Sequence, residues 1–153
     1  MIKEYLIDTK NLIFEGEYKN GKRNGRGKEY NKYGKLIFEG EYLNGKKIKG
    51  TGYNNDDNII FVLNEGQGKE YYNNYNLKFK GEYISGNRWN GIYYNIKGDI
   101  EFELKDGIGK GREYDNYGNL IFEGQYIYGK KNGKCKEYYD NGKLKFEGEY
   151  ING

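Results

Sequence analysis

Histidine is missing from this 153-residue chain, and so is proline. Cysteine and tryptophan occur once each, and Ser85 is the only serine. Without histidine the usual general base is absent, and neither Ser85 nor the two threonines, Thr9 and Thr51, has a base to pair with. One cysteine, Cys135, permits no intramolecular disulfide, which fits a reducing compartment. One cysteine without histidine also excludes thiol–imidazole zinc sites. Long apolar runs are lacking: the opening MIKEYLIDTKN does not read as a signal peptide, and no stretch approaches the ~20 apolar residues of a membrane span. A cytoplasmic location is the expectation. Neither charge sign dominates. With 26 basic and 23 acidic residues the net charge is +3, too little to argue for nucleic acid.

What is abundant is glycine (25), tyrosine (19) and phenylalanine (7). A mean hydropathy of −1.11 alone would point to disorder, but 18% aromatic residues supply area for a core. The aromatics are periodic. All seven Phe residues occupy one repeat position: Phe14, Phe38, Phe61, Phe79, Phe102, Phe122 and Phe146. LIFEGEY at 12–18 returns at 36–42, as LKFKGEY at 77–83, LIFEGQY at 120–126 and LKFEGEY at 144–150. Gly follows Phe by two residues and Tyr by four in these five copies, giving Tyr18, Tyr42, Tyr83, Tyr126 and Tyr150.

In LIFEGEY, Leu12, Phe14, Gly16 and Tyr18 share one face while Ile13, Glu15 and Glu17 share the other, a half-buried strand. KNGKRN reads as a six-residue turn, RGKEY as the returning strand, and NKYGK as a second turn. Each unit is therefore a hairpin, and no segment carries helical spacing. The units fall at about 12–35, 36–58, 59–76, 77–99, 100–119 and 120–143, with half units at 1–11 and 144–153, in one domain spanning 1–153. About 14 strands result, and at ~4.8 Å per strand the sheet would run ~65 Å. Glycine normally weakens a strand, so its repetition after Phe implies a steric purpose: aromatic rings lying over the Gly Cα atoms. A first register sets Tyr18 against Gly25, Glu17 against Arg26, Glu15 against Lys28 and Phe14 against Glu29, the last awkward on a buried face.

The units at 59–76 and 100–119 are shorter, and Leu63 and Leu104 replace the glycine. Their losses, six and four residues, are even, so a period-2 strand keeps its aromatics on the same face. Cys135 replaces a second-strand glycine and reads as a small buried thiol, a reactive one being the alternative.

FEGEYKNGKRNGRGKEYNKYG resembles a MORN repeat, whose pattern runs Y/F-x-G-x-Y/W-x-x-G-x-x-x-G-x-G. KEYYDNGKLKFEGEYINGK is similar to the bacterial variant in YwqK-type proteins. The resemblance covers about 3–153, departing at the two short units and at Cys135. It implies an all-β protein: an elongated, twisted antiparallel sheet of consecutive hairpins bent into a trough, each hairpin packing on its neighbours as in a solenoid.

The expected function is a noncatalytic protein-interaction scaffold, not an enzyme, with no cofactor and no metal. Paired carboxylates such as Glu15 with Glu17 recur in every full unit and read as a solvated face. NNDDN at 54–58 lacks calcium-loop spacing and reads as a turn. Partner-binding candidates are Trp89 and Arg88, placed in a turn, and the ladder Tyr18, Tyr42, Tyr83 and Tyr126. Successive first turns should line up a basic rim of Arg23, Lys46, Lys47, Lys49, Arg88, Lys130 and Lys131, which could meet an acidic protein or anionic lipid. Anionic-phospholipid binding is the alternative function, and the YwqK-type resemblance implies an antitoxin or immunity role. Unpaired strands in the two half units could associate between molecules.

Overall fold

The computed structural model describes residues 1–153. The chain is all-β, built of consecutive antiparallel hairpins, with no helix. The backbone divides into two compact units, Met1–Gly66 and Gln67–Gly153. The first holds β1 (Ile2–Tyr5), β2 (Leu12–Lys19), β3 (Lys22–Tyr30), β4 (Leu36–Leu43), β5 (Lys46–Tyr53) and β6 (Ile59–Asn64). The second holds β7 (Gln67–Tyr71), β8 (Leu77–Ile84), β9 (Asn87–Tyr94), β10 (Ile100–Leu104), β11 (Gly109–Tyr114), β12 (Leu120–Ile127), β13 (Lys130–Tyr138) and β14 (Leu144–Tyr150). Within each unit, strands that pair are neighbours in sequence.

In the full units the first turn is shorter than expected. KNGKRN is not a six-residue loop: β2 ends at Lys19, β3 starts at Lys22, and only Asn20 and Gly21 intervene. Both have positive φ (53° and 72°), the type I′ geometry that matches strand twist. Asn44-Gly45, Ser85-Gly86, Asp106-Gly107 and Tyr128-Gly129 repeat it. The surplus residues enter the strand as a bulge instead. From Gly16↔Gly27 to Tyr18↔Arg23, β2 advances two residues while β3 advances four. The pairings Phe14↔Glu29 and Glu15↔Lys28 hold, but Tyr18 faces Arg23 rather than Gly25, and Glu17 loses Arg26. Gly25 takes φ +93° at the bulge, where a Cβ would strike the Glu17 carboxylate.

The second turns are closed by side chains. Asn31 Oδ1 accepts from the Tyr33 and Lys35 amides at 2.9 and 3.0 Å. Asn54, Asn95 and Asp115 repeat this two-amide cap. NNDDN at 54–58 is thus an Asx-capped turn.

The core follows the repeat. Phe14, Phe38 and Tyr42 form it in the first unit; Phe79, Tyr93, Phe102, Leu104, Phe122, Tyr126 and Cys135 form it in the second. The in-strand glycines admit the rings. A Cβ on Gly16 or Gly27 would lie 2.6 Å from Phe14 Cζ. In the short units leucine fills that space: Leu63 and Leu104 are buried, and Phe102 stacks on Tyr93 at 4.1 Å. Even deletion has kept Phe102 inward, as period-2 geometry requires.

Candidate interaction surface

The residues nine positions after Phe decide most of the site. Arg23, Lys47, Arg88 and Lys131 all hold this place in the four full units. The bulge turns them onto the Phe face, so they do not form a basic rim. Arg23 Cζ lies 4.0 Å from the Phe14 ring centroid, and the Lys47 and Lys131 Nζ atoms lie 4.3 and 4.2 Å from those of Phe38 and Phe122. Each cation also reaches a glutamate of a G-K-E-Y type strand. Arg23 donates to Glu4 (3.0 and 2.9 Å) and Glu29 (2.6 Å), and Lys47 meets Glu29 at 2.7 Å. Arg88 donates to Glu70 at 2.6 and 2.5 Å and to Glu113 at 2.6 Å, and Lys131 donates to Glu137 at 2.8 Å. This answers why glutamate can face Phe14: Arg23 covers the ring and neutralises the carboxylate. The signal was present in the sequence as a cation at Phe+9.

Electrostatics follow from this network. Burial would raise the Glu70 pKa, but the Arg88 charge, with hydrogen bonds from Arg88 and Tyr83, outweighs it and holds the carboxyl below its usual range. A hydrogen bond from Lys131 lowers Glu137 likewise. Burial, reinforced by neighbouring glutamates, raises the phenols of Tyr42, Tyr83 and Tyr126.

The candidate tyrosines divide. Tyr42 and Tyr126 are core residues, 2% and 5% exposed, and present no surface to a partner. Their buried hydroxyls lie beside Glu29 and Glu113, yet neither completes a hydrogen bond of normal geometry. Tyr18 and Tyr83 are half-buried, and Tyr83 donates to Glu70. Trp89 and Arg88 lie in β9 rather than in a turn. Among the rim candidates Lys46, Lys47, Lys49 and Lys130 are exposed, Lys47 while paired with Glu29, and Lys49 lies across from Glu41. Cys135 is buried, and burial pushes its thiol pKa up, away from thiolate character.

A feature not anticipated lies at the first-turn edge of the second unit. Gly107 N donates to Trp89 O at 2.8 Å and Gly129 N to Gly107 O at 2.9 Å, stacking adjacent turns. The Trp89 and Tyr128 rings stack at 6.4 Å and 17°. Tyr83 and Tyr126 point to the Phe face, so alternation sends their neighbours Ile84 and Ile127 to the opposite face. Ile84, Ile127 and Tyr128 are 49%, 37% and 67% exposed, and Ile108 beside them is 57% exposed. Tyr128 stands at φ +54°, a conformation better suited to the Asn used at Asn20 and Asn44.

The same opposite face carries charge rows. Lys3–Glu15 and Lys28–Glu39 pair at 3.9 and 3.3 Å in the first unit, and Arg112–Glu123 and Lys136–Glu147 at 3.0 and 3.4 Å in the second. These exposed pairs form solvated rows. No group of His, Cys, Asp or Glu is clustered to hold a metal ion.

No family model matches the chain. No curated protein matches its sequence either.

Proposed function

We propose that the chain is a noncatalytic protein-interaction module whose partner seats on the turn edge around Trp89 and Tyr128. The observation that carries this reading is the exposure of Ile84, Ile108, Ile127 and Tyr128 beside a half-buried Trp. Clustered apolar side chains with an aromatic anchor favour protein contacts. The lipid alternative is weakened, because Arg23, Lys47, Arg88 and Lys131 are committed to carboxylates. The resemblance to MORN and YwqK-type repeats extends the proposal to an antitoxin role, with a toxic enzyme as the partner.

The test is capture of a partner by the tagged chain in its native cell, followed by titration of the purified pair. Tyr128→Asn removes the aromatic while installing the residue this turn prefers, so folding is kept. It is expected to weaken binding about tenfold or more, the loss of an anchor worth at least ~1.4 kcal/mol. Unchanged affinity in Tyr128→Asn and Trp89→Thr would reject this surface. Salt-sensitive pelleting with anionic vesicles would favour the lipid reading.

A further inference from the structure

β1 and β14 each have a strand on one side only, and the repeats supply the partner that would complete them. β3 and β13, strands of the β1 type, are each flanked on both sides. Lys28 lies between Glu15 and Glu39, and Glu29 between Phe14 and Phe38. In β13, Lys136 lies between Glu123 and Glu147, and Glu137 between Phe122 and Phe146. β1 repeats this set on one side alone: Lys3↔Glu15, Glu4↔Phe14 and Ile2↔Gly16. The strand it lacks would carry Phe, Glu and Gly in consecutive places, and β14 offers them as Phe146, Glu147 and Gly148.

Exposure points the same way. Phe146 is 40% exposed, whereas Phe14, Phe38, Phe79 and Phe122 are no more than 1% exposed. Ile2 is 47% exposed and occupies in β1 the place of Cys135 in β13, which packs between Gly124 and Gly148. A partner strand would bury both.

We propose that β14 of one copy pairs antiparallel with β1 of a second copy, in the register of the internal hairpins. Phe146 then faces Glu4, Glu147 faces Lys3, and Gly148 faces Ile2 of the neighbour. The contact is heterologous: a patch on one copy meets a different patch on the next, so association can propagate. Backbone bonds supply affinity, and the seating of Phe146 against Glu4 and of Gly148 against Ile2 fixes the register.

The experiment uses the 153-residue chain. Light scattering across a range of concentration is expected to give a mass that rises above that of one chain. Register is then read by oxidation with oxidised glutathione in a Cys135→Gly background. Lys3→Cys combined with Glu147→Cys is expected to cross-link between copies at least tenfold faster than Lys3→Cys with Glu149→Cys. A mass fixed at one chain at the highest concentration overturns the proposal. So does association in which the two cysteine pairs link equally fast.

Discussion

Arg88 and Glu70 meet through two parallel hydrogen bonds, Nε to Oε1 at 2.6 Å and Nη2 to Oε2 at 2.5 Å. The guanidinium stands 5.4 Å from the Phe79 ring centroid and reaches Glu113 with its remaining arm. One side chain thus ties β7, β9 and β11 of the second unit together. Arg23 does the same for β1 and β3 of the first unit, by way of Glu4 and Glu29.

Removing Arg88 should leave two carboxylates with little solvent. Arg88→Ala is expected to destabilise by about 3 kcal/mol, the usual cost of breaking a mostly buried ion pair. Arg88→Lys keeps the charge but loses the fork, at about 1.5 kcal/mol. Lys28→Ala, which breaks an exposed pair with Glu39, should cost less than about 0.5 kcal/mol. Urea unfolding of the three variants checks the order.

Acid should unfold the protein through the same glutamates. The folded pKa values of Glu70 and Glu137 lie below their unfolded values, so near pH 4 the unfolded chain binds more protons. Their contribution is therefore complete above the unfolded value of about 4.3 and is lost as pH falls through the folded ones. The urea midpoint should be flat from about pH 7 to 5 and drop below that. Glu70→Gln should be less stable at neutral pH yet show a shallower acid decline.

Two glycines should behave differently. A Cβ on Gly81 would lie 2.6 Å from Gly91 Cα and 2.8 Å from Phe79 Cζ, and would overlap the Asn90 carbonyl oxygen. Backbone cannot yield cheaply, so Gly81→Ala is expected to cost about 3 kcal/mol and to shift the Phe79 ring resonances. Gly34 has φ +81° and open space around it. Gly34→Ala should cost about 1–2 kcal/mol from conformation alone, and Gly34→Asn less. Thermal melts and aromatic NMR spectra separate the two mechanisms.

The sequence by itself determined the hairpins, the inward Phe position, the purpose of Gly16 and Gly27, and the phase of the shortened units. Those depend on local periodicity, which a period-2 strand writes directly into the chain. Only the tertiary structure decided where the charges go. KNGKRN could close as a long loop or as a two-residue turn with a bulge, and the residues are the same in both. Strand twist favours Asn20-Gly21 in type I′ geometry, and the surplus residues then turn Arg23 onto Phe14 and between Glu4 and Glu29. That step moves Arg23, Lys47, Arg88 and Lys131 from an expected rim onto the Phe rings and the glutamates beside them. The fold also sets Trp89 of β9 beside Tyr128 of a turn, an adjacency between residues 39 positions apart that no local pattern contains.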